Sequence, residues 1–372
     1  MDHDRALPDL LWDPSEVAGV LDHPGPFLTV YLETSPTTVG DERHDVHRWS
    51  DLRAGAAAQG APEEVLAAVD PLVDEEPVDG ETLVAVVTPD GVALSGHLPE
   101  PVEHDLVVWD TLPRLGPLLD SRQQDVAHVI ALVDRTGADV LAVTAGGEEL
   151  AELVEGDHDV VNRVRAGGWS HRRIQQRTED SWERNAEQTA DEVAAMARRV
   201  DARVILVAGE RHSTSVVLER LPDDPPVHLL DGGRAAGGDD DRLATEIVHR
   251  TGDVAARETR AALAAFGGAA GRHDHAVEGA DDTVAALAQG RVALLLVDDD
   301  PSDARRAWIG PRPAEVGATP GDLEGMGVEE PRQARLVDAC IRAAVGTGAV
   351  VRVVPGAAEH APDRGIGAVL RW

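Results

Sequence analysis

Five arginines, Arg163, Arg165, Arg172, Arg173 and Arg177, crowd the stretch that contains Gly167-Gly168-Trp169-Ser170-His171, and no carboxylate interrupts them between Asp159 and Glu179. Guanidinium groups fork onto phosphates and stack on bases, and a glycine pair lets backbone approach a ligand closely. An indole adds a flat apolar surface on which a base can lie. This is the chemistry of contact with a polyanion, RNA above all. A blander reading pairs the same arginines with Asp157, Asp159, Glu179 and Asp180 as surface ion pairs contributing about 0 to 1 kcal/mol each, and makes Trp169 a buried anchor. Internal pairing favours mixed signs at helical spacing. Here the signs are segregated, which favours an external partner.

The rest of the chain sharpens that contrast. Its 372 residues include 68 acidic and 34 basic side chains, a formal charge of -34. Such a molecule repels DNA and anionic membrane, so any contact with nucleic acid must be local. Every basic residue is arginine, since lysine is absent. That excludes a Walker A loop, a Schiff-base enzyme and a protein kinase, each of which needs an ammonium at a fixed place. One cysteine, Cys340, supplies neither an internal disulfide nor a thiolate zinc cage. The amino terminus opens acidic, from Met1 to Arg5, without an apolar export segment, and the aliphatic run Val292–Val297 is too short to span a bilayer. A cytoplasmic protein without a membrane anchor is expected.

Other groups have the types but not the company that chemistry requires. Asp298-Asp299-Asp300 follows a predicted strand, where carboxylates hold magnesium and phosphate esters, so Asp298 and Asp300 would serve a magnesium-dependent phosphoesterase. Without lysine to neutralise the phosphate, a solvated strand end is preferred. His273-Asp274-His275 follows the loop glycines Gly267, Gly268 and Gly271, has no further ligand nearby and reads as a polar loop, so no metal site is expected. Gly365-Ile366-Gly367 lacks the third glycine and helix of a dinucleotide fingerprint. Ser170 beside His171 has no nucleophile elbow around it. No cofactor is implied.

The elements that must position these groups alternate strand and helix throughout. Strands are predicted at Phe27–Glu33, Thr82–Thr88, 92–95, 126–133, 139–144, 202–208, Val227–Leu230, Val292–Val297, 349–354 and 365–372. Helices are predicted at 46–59, 62–73, about 179–200, 212–221, 242–266, 283–289 and 332–345. In the third of these, Trp182, Ala186, Ala190, Val193, Ala197 and Val200 share one face, as a helix packed on a sheet requires. Residues 310–331 are rich in Gly and Pro and read as a surface insertion. The fold class is α/β in three sequential domains: an amino-terminal domain at 1–124, a central domain with the Gly-Gly basic loop at 125–255, and a carboxyl-terminal domain at 256–372.

The run Gly167-Gly168-Trp169-Ser170-His171-Arg172-Arg173-Ile174-Gln175-Gln176-Arg177, followed by Ser181-Trp182-Glu183, resembles the signature of bacterial proteins related to archaeal and eukaryotic peptide-chain release factors and to Pelota. The closing run from Gly365 to Trp372 resembles the last strand of their third domain. The resemblance implies a ribosome-binding factor in the A site, similar to Balon-like hibernation factors, or a peptidyl-tRNA hydrolase of ribosome quality control. Its implied partners are the ribosome and ribosomal RNA, with elongation factor Tu a candidate, and its carboxyl-terminal domain would have a ribosomal-protein-like α/β fold. In the release factors a Gly-Gly-Gln tip orients water at the peptidyl ester. Here the third position is Trp169, and the nearest amides, Gln175 and Gln176, are the only catalytic candidates. An indole at the tip suits stacking on RNA, which favours occupancy over hydrolysis.

Overall fold

The most apolar strands of the chain build sheets buried on both faces. The computed structural model describes residues 15–33, 44–73, 82–99, 102, 104–134, 137–155, 170–231, 240–271 and 275–372. From the amino terminus come α1 (Ser15–Leu21), β1 (Phe27–Glu33), α2 (His44–Ala58), α3 (Glu63–Ala67), α4 (Asp70–Val73), β2 (Thr82–Thr88), β3 (Gly91–Leu98), β4 (Leu106–Asp110) and α5 (Gly116–Arg122). The four strands pair antiparallel in the order β3-β2-β1-β4. Because side chains alternate along a strand, Leu28, Val30, Leu32, Leu83 and Ala85 pack with Trp49, Val65 and Leu66 under α2 and α3. Phe27, Tyr31, Val84 and Val86 face the other way. The helix predicted over 62–73 is broken into α3 and α4 at Ala68 and Val69.

The next elements are β5 (His128–Asp134), β6 (Gly137–Val143), β7 (Glu149–Glu155), α6 (Ser170–Val200), β8 (Val204–Gly209), α7 (Arg211–Leu218), β9 (Val227–Leu230) and α8 (Asp240–Ala270). Their sheet runs β7-β6-β5-β8-β9, with β5, β8 and β9 parallel. Central parallel strands are covered on both faces. Val129, Ala131, Ile205 and Val207 pack with α6 and α7, while Ile130, Val204, Leu206 and Ala208 pack with Val254 and Ala255 of α8. The strand β7 lies in an acidic stretch that carries no strand prediction.

The last elements are β10 (Ala276–Glu278), α9 (Ala280–Ala288), β11 (Val292–Val297), β12 (Arg306–Ile309), β13 (Val316–Gly317), α10 (Pro320–Gly325), β14 (Arg332–Arg335), α11 (Leu336–Gly346), β15 (Val350–Val353) and β16 (Ile366–Leu370). They form the sheets β10-β16-β11-β15 and β13-β12-β14. The Gly/Pro-rich insertion is thus built on β13 and α10, whose start is fixed by a capping box between Thr319 and Asp322. The helix predicted from 332 begins at Leu336. Residues Arg332–Arg335 pair with β12 instead.

By compactness the chain forms two units, one of residues 1–123 with 258–372 and one of residues 124–257. Within the first, the amino-terminal and carboxyl-terminal sheets share a core in which Phe27, Tyr31, Val84 and Val86 meet Leu295, Leu336 and Ile341. Polar groups stitch the same seam. The Gln123 side-chain amide donates to the carbonyl of Val353 at 2.8 Å and accepts from its N–H at 3.1 Å, standing in for a neighbouring strand at the edge of β15. Replacing Gln123 with Ala leaves both buried backbone groups unmet, at about 1–3 kcal/mol each. A urea melt should show a loss of roughly 2–6 kcal/mol; an unchanged midpoint would mean that water replaces the amide.

Candidate nucleic-acid interface

The helix that carries the end of the cationic segment is anchored by its other half. Ala186, Ala190, Val193, Met196, Ala197 and Val200 of α6 are buried against the sheet and α7, with Asn185 and Thr189 also buried on that side. The predicted apolar face is therefore present from Ala186 onward; the side chain of Trp182 lies outside the described residues. A helix of 31 residues is about 46 Å long, whereas a seven-residue strand such as β5 spans about 23 Å. The buried positions, 185 to 200, match the strand length. The earlier turns of α6 extend beyond what one strand can cover.

Arg163, Arg165, Gly167, Gly168 and Trp169 lie outside the described residues. Ser170, His171, Arg172, Arg173, Gln175, Gln176 and Arg177 have described backbone only, and that backbone is helical: α6 starts at Ser170, well before the start near 179 suggested by the sequence. Ser170 therefore belongs to the helix and not to a loop. No acid stands in the first turn of α6. Helix N-termini carry the positive end of the dipole and ordinarily attract acids. Arginines at 172 and 173 add formal charge to that end, an arrangement that suits an anion brought from outside.

The rival carboxylates diverge. Asp299 is bound by the Arg335 guanidinium, Asp300 is exposed and accepts the N–H of Ser302 at 2.8 Å, and Asp298 is half-buried beside Gly356 and Gly365. Burial, then the charges of Asp300 and Asp299, push the Asp298 carboxyl above the usual range, while the Ser302 hydrogen bonds hold Asp300 below it. Asp298 and Asp300 border an open crevice of about 520 Å³ beyond the ends of β11 and β15, together with Asp303 and Arg305, which pair with each other. The expectation of a solvated strand end thus holds for Asp300 and is corrected for Asp299, which is a structural ion-pair partner. His273 and Asp274 lie outside the described residues. Among the described residues no group of three His, Cys, Asp or Glu side chains is placed to hold a metal ion.

One cluster carried no sequence signal beyond the i,i+3 spacing of Arg335 and Asp338. Both residues are buried, at 2% and 3% exposure, with Arg114 and Asp299 beside them. Cys340, also buried, has its thiol pushed up to about 12 by burial and is inert at neutral pH. No helix among the described residues is long and apolar enough to cross a membrane.

Residues 127–272 match the family model described as bacterial archaeo-eukaryotic release factor family 2. The matched segment is release-factor-related. It contains the sheet of the second unit, the cationic segment and all of α6. Over 358 residues the chain is 26% identical to the uncharacterized protein Rv2629 of Mycobacterium tuberculosis (strain ATCC 25618 / H37Rv), covering 94% of each chain. Among solved structures it is similar to archaeal Pelota from a model of ribosome-bound archaeal Pelota and ABCE1, at 14% identity, with 96% of this chain and 92% of that one covered and a TM-score of 0.41. It is also similar to Pelota of Archaeoglobus fulgidus, at 17% identity, 78% and 79% coverage and a TM-score of 0.35. The release-factor-related segment ends two residues after α8, and the mixed α/β sheets before and after it lie outside the match.

Proposed function

We propose that the chain is a cytoplasmic, ribosome-associated translation factor that occupies the A site and touches ribosomal RNA through Arg163, Arg165, Arg172, Arg173 and Arg177, with the Gly167-Gly168-Trp169 run as its approach. The observation that carries this reading is the coincidence of two independent features. The release-factor-related match over 127–272 contains a run of five arginines, from Arg163 to Arg177, that no carboxylate interrupts, in a chain of formal charge -34. The acidic remainder limits loose RNA binding and leaves recognition to shape and to this patch.

Occupancy is favoured over cleavage by backbone chemistry. A glutamine whose main-chain N–H is to activate or orient a reacting group needs that N–H free. Only the first four N–H groups of a helix lack an intrahelical acceptor. With α6 starting at Ser170, Gln175 and Gln176 fall beyond them.

Changing Arg172 and Arg173 together to Glu should weaken co-sedimentation with purified ribosomes by roughly 30-fold or more at fixed salt. Unchanged co-sedimentation removes the patch from the mechanism. Saturating protein should release no peptide from peptidyl-tRNA on stalled ribosomes. Release that disappears in Gln175→Ala or Gln176→Ala would establish hydrolysis instead.

A further inference from the structure

The seam inside the first unit holds a group of charges that no binding role explains. Asp338, on the first turn of α11, has a side chain 1% exposed. Its Oδ1 lies 3.4 Å from the Arg335 guanidinium, and its Oδ2 lies 3.4 Å from Arg114 Nε without a hydrogen bond. Arg335 spends its shorter bonds elsewhere, on Asp299 and on the carbonyl of Asp300 at 2.6 Å. Arg114 belongs to the amino-terminal part of the unit, in the loop between β4 and α5. Its carbonyl accepts the Tyr31 hydroxyl at 2.8 Å and its N–H donates to Thr29. Asp299 reaches the same part from β11: a Cβ built on Gly116 would fall 1.9 Å from its Oδ2. The two sheets therefore meet over a carboxylate that is deeply buried and poorly hydrogen-bonded.

The charges around Asp338 come from every side. Arg335 and Arg114 favour its ionised form; Asp299 at the end of β11 and Asp110 at the end of β4 oppose it. Asp110 is itself neutralised by Arg306 of β12 at 2.9 Å. Tyr31 of β1 stays protonated, its hydroxyl raised by burial. The remaining charged groups on neighbouring elements are engaged elsewhere: Arg342 with the carbonyls of Pro311 and Arg312, Arg352 with Thr259 and Glu258, and Arg305 with Asp303.

We propose that the Arg114–Asp338–Arg335–Asp299 cluster is a proton-sensitive latch between the amino-terminal and carboxyl-terminal sheets of this unit, fastened when Asp338 is protonated and loosened when it ionises. Burying a charge without good hydrogen bonds costs more than the long contacts return. A proton removes that cost, and opening the seam removes it by hydration. Burial pushes the Asp338 carboxyl up to about 7 against an ordinary value of 3.8. A group raised in the closed state favours closure most at low pH, and that advantage is lost as pH rises through the raised value. The fraction open should climb about tenfold per pH unit between roughly pH 5 and 6.5 and level off above 7.

Hydrogen exchange on the full chain, corrected for the intrinsic pH dependence of amide exchange, tests this. Amides of α5 and β15 should show that rise, whereas β5 and β8 of the other unit serve as the internal control. In Asp338→Asn the profile at α5 and β15 should be flat across pH 5 to 8. A flat wild-type profile, or an Asp338→Asn profile that keeps the slope, overturns the latch. If Asp338→Asn does not fold, the wild-type profile alone decides.

Discussion

Arg335→Met should destabilise the first unit by about 3–5 kcal/mol, the cost of removing one partner from a buried ion pair. The guanidinium binds Asp299, faces Asp338, and donates to the carbonyls of Asp300 at 2.6 Å and Asp303 at 3.4 Å. Methionine fills part of the volume and meets none of these groups. Asp299 would be left facing Gly116, and Asp338 would keep Arg114 alone. Urea unfolding read by hydrogen exchange at β11 and β15 measures the loss. A change below about 1 kcal/mol would mean that solvent reaches the vacated site, and that the cluster is wetter than its 2% exposure at Arg335 implies.

Gly209→Ala should cost the second unit roughly 3 kcal/mol or more, the sum of left-handed backbone strain and overpacking. Gly209 ends β8 at φ +145°, and a Cβ built there falls 1.9 Å from the carbonyl oxygen of Val133 on the paired strand β5. The obstacle is backbone in a central parallel pair and cannot rotate aside. Gly91→Ala separates the two causes, because Gly91 has φ +126° with nothing within 4 Å of its Cβ position. It should show strain alone, about 1 kcal/mol. Equal effects at the two positions would mean that β5 and β8 slide apart to accept the methyl.

Most of the fold was legible because alternation and helical periodicity report burial directly. The strands β1, β2, β5, β8 and β11 and the buried face of α6 follow from apolar spacing in the sequence. The start of α6 was hidden because Thr178-Glu179-Asp180 offers capping residue types in its interior, while residues 170 to 177 have no apolar period. The strand β7 was hidden by Glu149, Glu152 and Glu155. Charge on an edge strand discourages pairing with other chains and also erases the strand signal. Arg332–Arg335 read as helix because only the pairing with β12, a tertiary event, makes it a strand. The cationic segment was visible as composition. The Arg114–Asp338 contact joins residues far apart in the chain, and no local pattern announces it.

The first unit is assembled from residues 1–123 and 258–372, with the whole second unit encoded between them. During synthesis, β1 to β4 leave the exit tunnel with one face of their sheet ready to be covered by α2 and α3 and the other waiting for α11. At about 5–20 residues per second the missing partner, more than 200 residues on, arrives only after roughly 10 to 45 s. Until then Phe27, Tyr31, Val84 and Val86 have only the amino-terminal members of their core, among them Val17, Val20, Leu115 and Leu118, to cover them, and the face that Leu295, Leu336 and Ile341 close stays open, a surface that a holding chaperone would shield.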